Sequence, residues 1–252
     1  MPRRRQKKPG HVAVIVPAAG SGRRMGGTRK QFRRLGGLPL LIQTLLVFER
    51  HPDVHQIYLA APADAVDVLR MELEADGLTK LRDVVAGGGT RQDSVHAALR
   101  VVPSDVEVVL VHDAVRPFVE ASQLAVLIAT ARSEGGASLA IPVTDTLRRG
   151  HDAQFRETVS REHLYRMQTP QAFRRAWLAE AHQHAERLDI QSTDDVNLVQ
   201  AIGCPVQIVP GSSLNMKITT PADWDLATIL WPHWEASHEN RTAPPTEAGG
   251  DA

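Results

Sequence analysis

Short apolar runs alternate with stretches of helical periodicity along most of this chain, and that alternation restricts the folds available to it. Strands that alternate with helices pair in parallel, because each crossover helix returns the chain to the same end of the sheet. The predicted strands are Val12–Val16, Gln56–Ala61, Asp83–Ala86, Glu107–Val111, Ala137–Pro142, Pro205–Val209 and residues 214–219. The predicted helices are Leu40–Phe48, Ala65–Glu74, Asp93–Arg100, Ser122–Ser133 and Ala172–Ala185, with two more that start at Thr193 and Pro221. The pattern predicts an α/β domain with a mostly parallel sheet.

Three segments fall outside this alternation. Residues 142–168 are polar and show no helical period, although Phe155–Val159 resembles a strand. A stretch of this kind inside a compact domain usually serves function or an interface. Residues 1–10 contain a basic run, and residues 231–252 turn polar and rich in proline and glycine, so we expect both tails to be disordered. Residues 11–230 remain as one domain.

The overall charge excludes some classes of protein. The chain has 252 residues, with 29 Lys and Arg against 29 Asp and Glu, which argues against a general binder of nucleic acid or membrane surfaces. Its single cysteine, Cys204, fits a reducing compartment. No apolar run approaches the ~18 residues that a membrane helix needs. We therefore expect a cytoplasmic protein that binds neither nucleic acid nor membrane.

A glycine turn follows the first predicted strand. Glycines let backbone N–H groups converge on an anion, because no Cβ stands in the way. Cationic side chains follow the turn at Arg23, Arg24 and Lys30. Together these features favour a site for a nucleoside triphosphate, although a structural turn with a solvated basic rim would leave the same pattern.

Two better-known phosphate loops do not match this turn. The dinucleotide fingerprint needs G-x-G-x-x-G, whereas the glycines here are Gly20, Gly22 and Gly26. A P-loop needs G-K-[ST], and that triplet does not occur in the chain. The glycine turn therefore belongs to neither class.

Asp113 follows a hydrophobic strand directly, in the sequence H-D-A-V-R-P-F. Open α/β sheets bind ligands at the carboxyl ends of their strands. An exposed carboxylate there can hold Mg²⁺, which prefers one or two carboxylates together with phosphate oxygens. Arg116 could anchor an anionic substrate or orient Asp113; alternatively, the two residues form an ion pair that caps the turn.

Two further segments have a functional and a structural interpretation. The glycines of Gly87–Ser94 allow close approach to a base or ribose, but they also suit a flexible loop with a helix cap at Ser94. Lys217 lies among apolar neighbours, so it either extends from an edge strand to solvent or points into a cleft. Thr193–Asp195 fits a helix N-cap with acidic residues in the first turn, and we assign it no chemistry.

Taken together, these segments resemble the 2-C-methyl-D-erythritol 4-phosphate cytidylyltransferases. The shared motifs run in family order over about residues 11–230: P-A-A-G-S-G-R-R-M, K-Q-F, R-Q-D-S-V, V-H-D-A-V-R-P-F, D-T-L, S-R-E-H-L-Y-R-M-Q-T-P-Q-A-F, T-D-D and N-M-K-I-T. The resemblance implies a Rossmann-like nucleotidyltransferase domain with helices on both faces of the sheet and a protruding β-arm. It also implies a homodimer in which residues 142–168 form the exchanged arm.

The reaction that the resemblance implies is Mg²⁺-dependent. CTP and 2-C-methyl-D-erythritol 4-phosphate give 4-CDP-2-C-methyl-D-erythritol and pyrophosphate, a step in non-mevalonate isoprenoid biosynthesis. The family's catalytic positions fall on Arg24, Lys30 and Lys217. Its nucleotide-binding positions fall on Pro17, Ala18, Ala19, Gly20, Ser21, Gly22, Arg24, Lys30, Gly88, Ser94, Ala114 and Lys217. Its positions for the methylerythritol phosphate fall on Asp113, Arg116, Thr146 and Arg161, with Asp113 also expected at the metal.

Two other functions remain open from the sequence. A ribitol 5-phosphate cytidylyltransferase shares the H-D-A-V-R-P-F and Q-T-P-Q blocks, although it tends to show Leu-Ala-Gly-Gly where this chain has Pro17-Ala-Ala-Gly20. A non-catalytic nucleotide-binding regulator on the same fold is the other. Loss of the residues at Lys30, Asp113 or Lys217 would have favoured the regulator, and all three are present.

Overall fold

A computed structural model describes residues 10–20 and 30–242 of the chain, and its centre is a seven-stranded sheet in the order β11-β7-β10-β6-β1-β4-β5. The strands of this sheet are β1 (His11–Pro17), β4 (Gln56–Ala61), β5 (Leu81–Ala86), β6 (Val106–Val111), β7 (Gly136–Pro142), β10 (Tyr165–Arg174) and β11 (Gln207–Pro210). Two two-stranded ribbons consist of β2 (Arg34–Leu35) with β3 (Leu38–Pro39), and of β8 (Leu147–His151) with β9 (Gln154–Val159). The helices are α1 (Leu40–Glu49), α2 (Val66–Ala75), α3 (Arg91–Leu99), α4 (Ala121–Glu134), α5 (Arg175–Leu188), α6 (Asp195–Ala201) and α7 (Pro221–Thr242).

The apolar run of β1 explains its central place in the sheet. Residues Val12–Val16 are fully buried, as expected for a parallel strand that is covered on both faces. Alternate side chains of β1 pack into two separate cores, one beneath α1, α2 and α4 and the other beneath α3, α5 and α6. The predicted α/β fold with helices on both faces is therefore confirmed.

The prediction of a helix at Ala172–Ala185 is wrong over its first three residues. Ala172, Phe173 and Arg174 belong to β10, which lies antiparallel between β6 and β7, and α5 begins at Arg175. A short buried run of this kind does not reveal by periodicity whether it is strand or helix. The prediction of a strand at 214–219 is also wrong, because these residues form turns and extended chain without a ladder.

The predicted disorder from Trp231 onward is wrong as far as Thr242, where α7 ends. Trp231 and Trp234 are buried against Phe118, with ring centroids 5.8 and 5.3 Å from its ring. These indoles give the helix an apolar face, which the largely polar composition of the segment does not reveal in the sequence. Residues 1–9 and 243–252 lie outside the described residues, so the predicted disorder of the remaining tails stays a prediction.

A matched pair of glycines tests the packing of α7. Gly36 and Gly37 both have positive φ, at 57° and 84°, but only at Gly36 would a Cβ meet Trp231, 1.8 Å from Nε1. We expect Gly36→Ala to lower the free energy of unfolding by about 3 kcal/mol, from left-handed strain and overpacking together. Gly37→Ala carries the strain alone and should cost about 1 kcal/mol. Urea denaturation of both variants checks this, and equal losses would contradict it.

The ribbon of β8 and β9 forms an arm that leaves the main sheet between β7 and β10. Its base is closed by the backbone N–H of Val143, which donates to the carbonyl of Leu164 at 2.9 Å. Most of its side chains are exposed, and Phe155 is 79% exposed. The predicted protruding β-arm is thus present, but it spans residues 143–164 rather than 142–168, because Pro142 and residues 165–168 belong to β7 and β10 of the main sheet.

Candidate active site

The start of the glycine turn lies at the carboxyl end of β1. The backbone N–H of Ala18 donates to the carbonyl of Ala60 at 2.7 Å, which extends the pairing with β4. The buried amide of Gln31 donates to the carbonyls of Ala18 at 2.9 Å and Gly20 at 3.3 Å, so it holds the turn from below. The predicted positions Ser21, Gly22 and Arg24, and the side chain of Lys30, lie outside the described residues.

The second glycine loop packs directly against this turn. Gly87 donates its N–H to the carbonyl of Ala61 at 2.8 Å, and a Cβ at Gly87 would lie 2.5 Å from that of Ala19. Ser94 Oγ accepts the N–H of Gly88 at 3.2 Å and donates to the carbonyl of Thr90 at 2.9 Å. The sequence places the helix start at Ser94, whereas Thr90 caps α3 in a capping box with Asp93. Gly88 and Ser94 therefore lie next to Gly87, the glycine that packs against Ala19, so the two glycine segments are adjacent.

Asp113 is surrounded by three cations. Arg91 Nε lies 3.1 Å from Oδ1, while Arg116 Nε at 3.2 Å and Lys217 Nζ at 3.0 Å share Oδ2. Burial alone would raise the pKa of Asp113, but Arg91, Lys217 and Arg116 outweigh it and hold the pKa well below its usual range. The carboxylate is thus ionised, and the three cations around it leave an excess of positive charge at this end of the sheet.

This arrangement corrects the expectation of an exposed carboxylate ready for a metal. The Asp113 side chain is only 8% exposed, and both of its oxygens accept from cationic donors. A further cation at these oxygens would meet three positive charges, so Asp113 does not fit the role of a direct Mg²⁺ ligand. Within residues 10–20 and 30–242, no group of three or more His, Cys, Asp or Glu side chains is placed to hold a metal ion.

Arg91 and Asp195 are the site residues that the sequence reasoning missed. Arg91 Nη1 lies 2.7 Å from Asp195 Oδ2, and Asp195 Oδ1 accepts from His182 Nε2 at 3.0 Å. Asp195 and His182 are each only 1% exposed. Burial would lower the pKa of Arg91, but Asp195 and Asp113 outweigh it and raise the pKa further above its usual range. The signals available were the Arg two positions after the last glycine of the loop and the paired acids at Asp194–Asp195.

The loop that carries Asp113 is fixed from below by a chain of buried polar groups. The N–H of Asp113 donates to Thr169 Oγ1 at 3.0 Å, and this hydroxyl donates to His112 Nδ1 at 3.1 Å. His112 Nε2 donates to the carbonyl of Arg116 at 2.9 Å, so the imidazole spans the loop. Arg116 Nη1 donates to the carbonyl of Asn215 at 2.7 Å, which draws the Lys217 segment toward the same loop.

From the burial of the His112 imidazole we predict how the free energy of unfolding depends on pH. Burial lowers the pKa of His112 to about 4, so the unfolded chain binds a proton near pH 6 that the folded protein does not. This contribution to stability is complete above pH 6.5 and is lost as the pH falls toward 4. We expect the wild type to lose about 2 kcal/mol of unfolding free energy from this group between pH 7.5 and pH 5.

Urea denaturation of wild type and His112→Gln at both pH values isolates the contribution. The glutamine variant is expected to be less stable at pH 7.5, but its loss on acidification should be smaller than that of the wild type. Equal losses on acidification would rule out His112 as the source, because the remaining histidines are common to both proteins.

The remaining predicted residues divide between the site and the arm. Ala114 is buried beside Asp113 and its carbonyl accepts from Thr44 Oγ1 at 3.2 Å. Thr146 and Arg161 are exposed on the arm, where Arg161 donates to the carbonyl of Thr144 at the arm's base. Among the described residues, neither makes a hydrogen bond or ion pair with the Asp113 cluster of the same chain.

The chain is similar to proteins of one family. The family model described as IspD, 2-C-methyl-D-erythritol 4-phosphate cytidylyltransferase, matches residues 12–231. A protein of that name from Salinibacter ruber is 55% identical over 228 residues, which cover 90% of this chain and 96% of the relative. The protein of the same name from Syntrophus aciditrophicus is 43% identical, over 86% of this chain and 94% of the relative.

Solved structures agree with the fold. The crystal structure of 2-C-methyl-D-erythritol 4-phosphate cytidylyltransferase from Thermus thermophilus is 36% identical with a TM-score of 0.75, and the match covers 88% of this chain and 99% of that one. The 4-diphosphocytidyl-2C-methyl-D-erythritol synthase from Anaerococcus prevotii is 29% identical with a TM-score of 0.76, covering 87% and 95%. No helix among residues 10–20 and 30–242 combines the length and apolar character needed to cross a membrane.

Proposed function

This chain belongs to the 2-C-methyl-D-erythritol 4-phosphate cytidylyltransferase family, and from that premise we propose how the Asp113 cluster serves the reaction. The enzyme is a nucleotidyltransferase that moves the cytidylyl group of CTP to 2-C-methyl-D-erythritol 4-phosphate and releases pyrophosphate. The observation that carries the proposal is the cationic cluster of Arg91, Arg116 and Lys217, beside two glycine loops at the carboxyl ends of the strands.

The chemistry needs charge neutralisation more than proton transfer. An oxygen of the sugar phosphate attacks the α-phosphorus of CTP, a new P–O bond forms, and the bond to the leaving pyrophosphate breaks. The attacking phosphate is already anionic near neutral pH, because its second pKa is about 6. No general base is needed, and the obstacle is repulsion between two polyanions. Cations and backbone N–H groups that hold both anions in line lower this barrier.

The proposal divides the site by the position of each segment. The turn of Pro17–Gly20, with the sequence positions Ser21, Gly22, Arg24 and Lys30, takes the triphosphate. Gly88, Ser94 and Ala114 border the cytosine and ribose, while Lys217 faces the α-phosphate. Arg116 binds the methylerythritol phosphate, and Asp113 orients Arg116 and Lys217 through its ion pairs.

The acceptor site is completed by a second copy of the chain. Thr146 and Arg161 lie on an exposed arm that carries Phe155, 79% exposed, away from the chain's own Asp113 cluster. An arm with an exposed aromatic side chain suits burial against another subunit. We assign the protein as a homodimer in which each arm brings Thr146 and Arg161 to the partner's acceptor phosphate.

The role of Mg²⁺ in the proposal follows from the charges around Asp113. Mg²⁺ would bind to the triphosphate oxygens of CTP, which are among the ligands it prefers, rather than to a carboxylate already shared by three cations. When bound there, it neutralises charge on the phosphates. The unpaired Cys204 supports the assignment of a reducing, cytoplasmic setting.

Pyrophosphate release tests the proposed function directly. Purified protein is supplied with CTP, Mg²⁺ and, in separate reactions, methylerythritol 4-phosphate or ribitol 5-phosphate. Release with the first acceptor alone is expected. Release with ribitol 5-phosphate alone would show that the enzyme is a ribitol 5-phosphate cytidylyltransferase. If neither acceptor gives pyrophosphate although CTP still binds, a non-catalytic regulator would be favoured.

A further inference from the structure

The guanidinium of Arg91 contacts two carboxylates, and one of its three nitrogens makes no hydrogen bond among the described residues. Nε contacts Asp113 and Nη1 contacts Asp195, at 3.1 and 2.7 Å. Nη2 is buried and has no hydrogen-bond partner among the described residues. In an arginine, Nε and Nη2 form the edge that grips a carboxylate with two parallel bonds. Arg91 therefore makes a single bond to Asp113 although a two-bond grip is available to it.

Asp195 is the group that prevents the two-bond grip. It is held from other elements, because its N–H donates to Gln171 Oε1 at 3.0 Å and its Oδ1 accepts from His182. With its other oxygen it fixes Arg91 Nη1 on the side away from Asp113. If Arg91 turned to grip both oxygens of Asp113, it would compete for Oδ2 with Lys217 and Arg116.

We propose that Asp195 is a positioning residue that limits Arg91 to one oxygen of Asp113, and thereby keeps Lys217 paired with the other. His182 supports this role because it orients the Asp195 carboxylate from the opposite side. This inference rests on the proposed function only where it concerns turnover; the competition for Asp113 is a property of the folded protein without substrate.

The matched test compares Asp195→Asn with Asp194→Asn. The asparagine keeps the shape of Asp195 but removes the charge that holds Arg91. Asp194, the residue before it, caps α6 by accepting the N–H of Asn197 at 3.0 Å, and within the described part of the chain no hydrogen bond or ion pair joins it to Arg91. Asparagine caps helices as well as aspartate does, so Asp194→Asn controls for local change at the start of α6.

The first readout is the reactivity of the Lys217 amine, measured by trace acetylation and mass spectrometry without substrate. Lys217 is 39% exposed, so reagent reaches it in the wild type, and loss of its ion pair should raise its labelling rate about threefold. Lys80, which donates to the carbonyls of Phe48 and His51, serves as the internal reference. The Asp194→Asn variant should label Lys217 at the wild-type rate.

The second readout is steady-state kinetics. We expect Asp195→Asn to lower kcat about tenfold and to leave the KM for CTP nearly unchanged, because a cation is misplaced rather than removed. If Asp195→Asn does not fold, His182→Gln is used, and it should raise Lys217 labelling in the same direction. Unchanged or slower labelling in the folded variant, or the same effect in Asp194→Asn, would overturn the inference. Because labelling needs neither CTP nor an acceptor, the labelling result tests the role of Asp195 even if the proposed reaction is not observed.

Discussion

Lys217→Ala is expected to lower kcat by about 10²–10³-fold, the range seen when one preorganised electrostatic donor to a transition state is removed. Lys217 Nζ lies 3.0 Å from Asp113 Oδ2 at the edge of the cluster, where the proposal puts the α-phosphate. The fold should survive, since the side chain is 39% exposed and Asp113 keeps Arg91 and Arg116. On the sequence alone, Lys30→Ala is expected to have an effect of the same size.

The control for this experiment is Lys80→Ala. Lys80 is also partly buried and also donates to oxygen atoms, but these are the backbone carbonyls of Phe48 and His51, away from the cluster. It should lose some stability and keep its kcat. Circular dichroism and urea denaturation establish the fold of each variant before pyrophosphate release is measured. Turnover of Lys217→Ala within tenfold of the wild type would remove Lys217 from the proposed mechanism.

The second large effect is expected from Asp113→Asn, which should both destabilise the protein and abolish most turnover. The substitution leaves Arg91, Arg116 and Lys217 facing one another without the carboxylate between them. Removing one partner of a buried pair costs about 3–5 kcal/mol, and the partial exposure of Arg91 and Lys217 reduces this to about 2–4 kcal/mol. Turnover should fall because Arg116 and Lys217 lose the group that orients them.

A surface pair provides the comparison for Asp113→Asn. Asp83 pairs with Arg70 at 2.8 Å, and the two side chains are 29% and 41% exposed. Asp83→Asn removes the same charge by the same change of atoms, but should cost less than about 1 kcal/mol and leave turnover unaffected. Urea denaturation at pH 7.5 measures both. Equal stability losses would mean that the cluster contributes no more than an exposed ion pair.

The sequence predicted the strands well where burial is continuous. Val12–Val16 and Gln56–Ala61 form apolar runs, and both are strands of the sheet as predicted. The prediction that a helix begins at Ala172 failed because a buried strand and a buried helix of this length have the same composition. The prediction of disorder from Trp231 onward failed because the two indoles that anchor the end of α7, Trp231 and Trp234, are scattered among polar residues.

The site was predicted one segment at a time: the pairing of Asp113 with Arg116 was one of the alternatives considered, whereas the contacts between distant segments were not predicted. Asp113 was predicted from its place at a strand end, and a cleft was one of the two positions considered for Lys217. Nothing in the linear pattern indicates that Arg91 pairs with a carboxylate about a hundred positions away. The expected exposure of Asp113 failed on the same ground: Arg116 lies three positions away, but Arg91 and Lys217 come from distant parts of the chain that only the folded sheet brings together.

The arm begins and ends at a backbone hydrogen bond between Val143 and Leu164, so its length can change without moving the strands that carry it. Residues added to or removed from its tip leave the register of β7 against β10 unchanged, because that register is fixed below the bond. Selection can therefore lengthen, shorten or resurface the arm without disturbing the seven-stranded sheet. If the arm contacts a second subunit as proposed, that contact can change while the strands and glycine loops keep their places in the sheet.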